Sequence, residues 1–172
     1  MREMISMVVV LTCLASLSGG LLAAIKTGTE QRIEEQVLKF QKAPAIAQIF
    51  TDVSNDPLGE RFNIEADGVK FQFFPGKLED GGTAVAFETK GKGGYGGDVG
   101  LMVGINTETD QIIAARVTTH VETPGLGSRA KDDPAFVSQF DTLSMESDNL
   151  DLSNNDGSID AMSGATVTSQ AV

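Results

Sequence analysis

Residues 4–25 form an uncharged run of 22 residues, rich in Val, Leu, Met and Ala, and this run constrains the surroundings of the chain more than any other feature. At about 1.5 Å per residue, a helix of that length spans roughly 33 Å, the thickness of a bilayer core. The run predicts a transmembrane anchor over residues 1–26, followed by a separate domain over residues 27–172. A cleaved signal peptide is the competing reading. Arg2 is the one basic residue before the run, however, and the run is longer than the usual apolar region of about 7–15 residues. Lipidation at Cys13 is disfavoured, because Thr12 precedes it and the apolar run continues past it. A short amino-terminal tail normally stays in the cytoplasm, and Arg2 against Lys26 gives a weak bias of its own. The expectation is a single-pass protein with its domain on the extracytoplasmic side. Gly19 and Gly20 would permit a close helix–helix contact in the membrane.

The charge balance narrows the function of that domain. Thirteen basic against 24 acidic residues leave a net charge of −11, and the basic residues are scattered. Phosphate recognition needs clustered Lys and Arg, so a nucleic-acid partner is excluded. One cysteine and one histidine, His120, support neither an internal disulfide nor a Cys/His metal site. Redox chemistry would therefore require an organic cofactor.

The pattern along the domain predicts an α+β fold with a largely antiparallel sheet and short flanking helices. Thr29 reads as the N-cap of a juxtamembrane helix running to about Gln41, with Ile33, Val37 and Phe40 on one face and Pro44 as its stop. Beyond the loop at Asn55, Asp56, Pro57 and Gly59 the period becomes two. Phe62, Ile64 and Ala66 alternate up to Asp67-Gly68, and Val69, Phe71 and Phe73 resume beyond it, as in a hairpin. Pro75-Gly76 is expected to close it. Residues 83–89 read as a further strand. Val99, Leu101, Val103 and Ile105 should pair with residues 112–119 across a turn at 107–110. Asp132 or Asp133 is placed to cap a helix opening at Pro134. Residues 147–159 are polar, with a turn at Asn154-Asn155-Asp156-Gly157. No βαβ rhythm and no internal repeat is visible.

Three glycine-bearing stretches carry the candidate chemistry. Gly91-Lys92-Gly93-Gly94-Tyr95-Gly96-Gly97 would let backbone N–H groups approach a ligand. It has neither phosphate-loop nor dinucleotide-fold spacing, and alone it reads as a connection between strands. His120-Val121-Glu122-Thr123-Pro124-Gly125-Leu126-Gly127 follows a strand and sets an acid, a hydroxyl and a leucine around a Pro-Gly turn. His120 itself reads as a surface or loop histidine. Asp160-Ala161-Met162-Ser163-Gly164-Ala165-Thr166-Val167-Thr168 crowds small residues and hydroxyls beside an acid, and Ser163 could be a helix N-cap.

Asp160-Ala161-Met162-Ser163-Gly164-Ala165-Thr166 resembles the flavinylation motif Asp-x-x-(Ser/Thr)-Gly-Ala-Thr of the FMN-binding domain family, and Glu122-Thr123-Pro124-Gly125-Leu126-Gly127 matches that family's second signature. With the single apolar helix and Gly94-Tyr95-Gly96-Gly97, the chain is similar over nearly its whole length to the G subunits of Rnf electron-transport complexes. The C subunits of sodium-translocating NADH:quinone reductase are close relatives. The resemblance implies a bacterial or archaeal inner-membrane electron-transfer subunit with no independent catalysis, within a complex coupling ferredoxin and NAD redox chemistry to sodium or proton export. A quinone-reductase C subunit and a membrane-anchored flavin-binding regulatory module remain the alternatives.

The resemblance further implies FMN joined through its phosphate to the hydroxyl of Thr166 by a flavin transferase using FAD, with the other subunits of the complex as partners. Asp160, Ser163, Gly164, Ala165 and Thr168 would surround the attachment point, Thr168 being the less favoured acceptor. Glu122, Thr123, Leu126 and Gly127 would line the flavin pocket, with Tyr95 and Gly96 at its edge. Were Ser163 to cap a helix, Thr166 would fall in its first turn, where free N–H groups favour a phosphate. Val167, Ala171 and Val172 read as a helix just begun, so the domain is expected to continue past Val172.

Overall fold

Alternating apolar residues from Phe62 onward give five strands that follow one another across a single sheet. The computed structural model describes residues 2–66, 68–79 and 81–172. Its strands β1 (Phe62–Ala66), β2 (Val69–Lys77), β3 (Thr83–Gly91), β4 (Val99–Asn106) and β5 (Gln111–Thr119) pair antiparallel in the order β1-β2-β3-β4-β5. Both expected hairpins are present. Ala66 pairs with Val69, and Asn106 pairs with Gln111. In the second turn the Asn106 carboxamide oxygen accepts the N–H groups of Glu108 and Thr109, as Asn does when it mimics a backbone turn. In the first, Gly68 takes a φ of +73°, and Asp67 lies outside the described residues.

The Pro75-Gly76 pair does not close β2. Both residues stay in the strand, paired with Val85 and Ala84 of β3. Proline is tolerated there because β1 stops opposite Phe73, so the edge beyond it has no neighbouring strand. Asn55 occupies that edge instead, its Nδ2 donating to the Pro75 carbonyl and its Oδ1 accepting the Lys77 N–H.

The chain divides into two units, residues 1–40 and 41–172. In the first, α1 (Arg2–Val37) carries its apolar side chains exposed along its length. Together with the segment after it, it makes one helix over Arg2–Ile49 long and apolar enough to cross a membrane. Thr29 is not an N-cap. It lies inside α1, its hydroxyl donating to the Ile25 carbonyl at 2.8 Å, and Thr12 and Thr27 bond back four residues in the same way. Pro44 does not end the helical segment either. A π-helical turn (Leu38–Lys42) leads into α2 (Ala43–Ile49), with Pro44 in the first turn of α2. A proline there needs no N–H partner, and widening at the π turn makes room for its ring.

In the second unit each face of the sheet has its own cover. On one, α2, with its buried Ala45, Ile46 and Ile49, lies over β4 and β5, Phe50 after it reaches Gly76 of β2, and Phe74, Ala86, Met102 and Ala114 are buried in that face. Gly76 and Gly104 permit this, since a Cβ at Gly76 would lie 3.0 Å from the Phe50 ring and one at Gly104 would collide with Ile49. On the other, Val99, Leu101 and Val117 meet Ala130, Phe136, Phe140, Leu152, Ile159, Met162 and Ala165, so the carboxy-terminal third of the chain forms that layer. Its helices are α3 (Arg129–Asp132), α4 (Pro134–Val137) and α5 (Thr166–Ala171). Asp133 caps α4 as expected, accepting the Ala135 N–H at 3.1 Å. The Arg129 guanidinium 2.6 Å away, together with that N–H, holds the Asp133 carboxyl below the usual carboxylate range. Arg116 of β5 pairs with Asp141 at 2.9 Å, holding the chain after α4 against the sheet.

Candidate functional site

All three glycine-bearing stretches meet at one end of the sheet, where β3 turns into β4 and β5 runs out. The signature after β5 is a tight turn. The Thr123 carbonyl accepts the N–H groups of Leu126 and Ser128, each at 3.2 Å. Gly125 takes a φ of +75° and donates to the Ser128 hydroxyl at 2.9 Å. A residue with a Cβ would strain that backbone. The turn leaves Thr123 and Leu126 at the surface, Leu126 being 47% exposed.

The third stretch packs beside it. The Met162 carbonyl accepts the Ala165 N–H at 3.0 Å, with Gly164 at a φ of +78°. A Cβ on Gly164 would stand 3.4 Å from Leu126 Cδ2, so this turn and the Leu126 turn face one another. Ser163 is not the helix N-cap. It is exposed on the turn, and Ala165 precedes α5 with no side-chain cap. The reason is local: closing the Met162–Ala165 turn moves the start of the helix two residues past Ser163. Thr166 is accordingly the first residue of α5, and it is exposed. The Ser169 hydroxyl fastens the turn to the helix, accepting the Met162 N–H and donating to the Ala165 carbonyl, both at 3.0 Å. Asp160 is exposed, its backbone bonded in both directions to the Gln139 carboxamide.

Thr168 and Glu122 lie below this surface. Thr168 is 1% exposed and Glu122 6%. The Thr168 hydroxyl donates to Glu122 Oε2 at 2.7 Å, and Oε1 accepts the Gly96 N–H at 3.0 Å. Among the described residues no Lys, Arg or His pairs with this carboxylate. Two glycines frame it. A Cβ at Gly94 would come within 2.6 Å of Oε1, and one at Gly127 within 2.5 Å of Oε2. Tyr95, between Gly94 and Gly96, is 78% exposed, and Gly96 is pressed against the Val121 carbonyl. His120 accepts the Glu122 N–H on Nδ1 at 3.3 Å. Sequence reasoning missed the Glu122–Thr168 bond and the packing need behind Gly94 and Gly127. The glycines and the acid were visible, but only the fold sets them against each other.

Chemically, this end of the sheet offers an accessible threonine hydroxyl, an exposed leucine beside it and a first helical turn without a side-chain cap. These fit a phosphate-bearing cofactor with a flat apolar ring.

Residues 94–172 match the FMN-binding domain family. The chain is 27% identical over 172 residues to the G subunit of the ion-translocating oxidoreductase complex of Methanosarcina acetivorans, covering 99% of this chain and 89% of that protein. Against the corresponding protein of Pasteurella multocida it is 30% identical over 174 residues, covering 95% and 85%. Against that of Vibrio cholerae it is 31% identical over 180 residues, covering 95% and 82%. Among solved structures, the C subunit of the Na(+)-translocating NADH-quinone reductase of Parabacteroides distasonis has the same fold, with a TM-score of 0.50 and 20% identity over 64% of this chain and 68% of that one. NqrC of Shewanella oneidensis is similar at a TM-score of 0.50 and 19% identity, over 79% of this chain and 66% of that one. The expected α+β fold with its antiparallel sheet is thus borne out. On relatives at 30% and 31% identity matched along most of their length, the chain belongs to the family of ion-translocating oxidoreductase complex G subunits, with an FMN-binding domain in its carboxy-terminal half.

Proposed function

We propose that the chain is a membrane-anchored electron-transfer subunit whose FMN is held as a phosphoester on Thr166. The observation that carries the reading is the convergence of both motifs on one surface where Thr166 is exposed while the Thr168 hydroxyl is already bonded to Glu122. Thr166 Oγ1 gives up its proton and bonds to phosphorus. The pyrophosphate link of FAD breaks, and AMP leaves as the transferase catalyses the exchange. Bound FMN supplies reversible uptake and release of electrons. The protein's part would be to hold the attachment point at Thr166, offer the apolar Leu126 turn to the flavin and leave the ring electronically unmodified. Within the complex, electrons would pass between subunits as ferredoxin and NAD chemistry is coupled to sodium or proton export. The intact mass of the full chain, coexpressed with its flavin transferase, should exceed the sequence mass by one FMN moiety. An unmodified mass would overturn the reading.

Leu126→Asp should shift the potential of the attached flavin without unfolding the domain, because an exposed side chain away from the core changes stability by about 0.5 kcal/mol or less. A carboxylate placed near the ring would disfavour added electrons, by about 1.4 kcal/mol for a close charge at an intermediate dielectric. That is roughly 30 mV downward for a two-electron couple. Redox titration checks it, and an unchanged potential would place Leu126 away from the ring.

The exposed apolar side chains of α1 suit lipid, and the reading places the domain from Thr27 onward on the extracytoplasmic side. A periplasm-active reporter fused after Thr27 should therefore be active, and a cytoplasm-dependent reporter at the same place silent. The transferase then works on that side. The opposite pattern would invert the topology.

A further inference from the structure

We infer that Glu122 is a positioning residue, a buried carboxylate that clamps the glycine-rich loop after β3 to α5 and thereby fixes how Thr166 is presented. The inference rests on the reading of Thr166 as the flavin acceptor. A burial of 94% is costly for a carboxylate, and among the described residues no cation offsets it. What stabilises it is one hydrogen bond to each oxygen, and the two donors come from separate parts of the chain: Gly96 and Thr168. The bonds tie together loop 92–98, the turn after β5 and α5, the three segments that carry the candidate site.

Close packing shows that the arrangement has little freedom to move. Gly94 and Gly127 lie against the two carboxylate oxygens where a Cβ could not fit, and a Cβ at Gly127 would also come within 2.7 Å of Thr168 Oγ1. Glu122 cannot swing toward the surface without leaving the Thr168 hydroxyl and the Gly96 N–H unpaired, each of which is unfavourable. Thr166 lies two residues before Thr168 at the start of α5, which has no side-chain cap of its own. The position of that first turn is therefore set from two sides, by Ser169 bonding back to the Met162–Ala165 turn and by Thr168 bonding across to Glu122. Glu122 acts on the acceptor only through Thr168. Glu122 and Thr168 are 46 residues apart in sequence.

The test measures attachment rate and local protection separately, on the full chain in detergent. With purified transferase and FAD, Thr168→Val and Glu122→Ala should each slow initial flavin attachment at least about tenfold, since each removes the hydrogen bond between Thr168 and the charged carboxylate and Glu122→Ala removes the Gly96 bond as well. The double variant should be no slower than Glu122→Ala alone, since the link that Thr168→Val removes is already gone there. Thr168→Ser restores the hydroxyl and should restore the rate. Glu122→Gln should also restore it, because its oxygen accepts from Gly96 while its NH2 donates to Thr168. Hydrogen exchange on the unmodified chain is the second readout. In Thr168→Val the Gly96 amide and residues 168–172 should exchange faster while β3 and β4 keep their protection, which separates clamp loss from unfolding. Unchanged exchange and unchanged rate in Thr168→Val would overturn the clamp. A wild-type chain that takes up no flavin, yet shows the local loss of protection in the variant, would overturn Thr166 as acceptor and leave the clamp standing.

Discussion

Thr166→Val should abolish covalent flavin, and Thr168→Val should not. Valine keeps the branched shape of threonine and has a similar helix preference, so α5 still begins at the same place. Only the oxygen proposed to form the ester is gone. Intact mass should fall from one added FMN to none, and fluorescence under ultraviolet light should vanish from the denatured band. Thr168→Val should reach one FMN at long reaction times even though it starts slowly. Thr168 is buried and its hydroxyl donates to Glu122, so the transferase would have to open the domain to use it. On the proposed phosphate ester, flavin released from the wild type should have the spectrum of free FMN. Flavin retained covalently in Thr166→Val would move the acceptor to Ser163 or Thr168. Of the two, Ser163 is exposed on the neighbouring turn and would be tested next.

How much of this was legible depended on whether the determinant was local. Alternation at Phe62, Ile64 and Ala66 and at Val99, Leu101, Val103 and Ile105 marks strands, because the two-residue period belongs to the strand itself. The Asp133 cap and the Asn106 turn are equally local. Misreadings arose where a neighbour decides. Pro75 ends a strand only if its N–H is needed, and the edge it occupies takes Asn55 in place of a strand. Thr29 would cap a helix only if the helix began there, and its hydroxyl is instead bonded back to the preceding turn. Residues 147–159 read as polar throughout, yet Leu152 and Ile159 are buried and anchor that segment to the sheet.

The site divides the same way. Its motifs are strings of adjacent residues and could be read. Glu122 is different: its carboxylate oxygens are bonded to residues 26 positions earlier and 46 positions later. No local pattern encodes that. Gly94 and Gly127 look like ordinary loop glycines until the carboxylate they accommodate is in place. Covering helices are equally silent, since alternation marks the two faces of β2 but not which stretch of each is covered. Phe71 and Phe74 are both on β2, and only Phe74 is wholly buried.

That difference sets the largest expected effect on stability. Phe74→Ala should destabilise the domain by about 3–5 kcal/mol, from lost burial and from a cavity that its surroundings fill poorly. Phe74 is 0% exposed on the face of the sheet that carries α2, with Ala86 directly opposite on β3 and Met102 buried in the same face. Those neighbours have little room to collapse inward. Gly76 already lies against the Phe50 ring and Gly104 against Ile49, so α2 sits as near the sheet as its backbone allows. Phe71→Ala removes a ring that is 40% exposed on the β1–β2 hairpin and should cost about 1 kcal/mol. With a urea slope of about 2 kcal/mol per molar, the midpoint followed by the sheet's circular dichroism should fall by roughly 2 M for Phe74→Ala and about 0.5 M for Phe71→Ala. For a domain holding about 5–15 kcal/mol in all, the first loss consumes much of the margin. The flavin motifs pack on the opposite face, against Val99, Leu101 and Val117. Phe74→Ala protein that remains folded in the cold should therefore still accept flavin at Thr166. Equal midpoint losses at the two positions would mean that the hairpin face around Phe71 is covered as thoroughly as the face beneath α2.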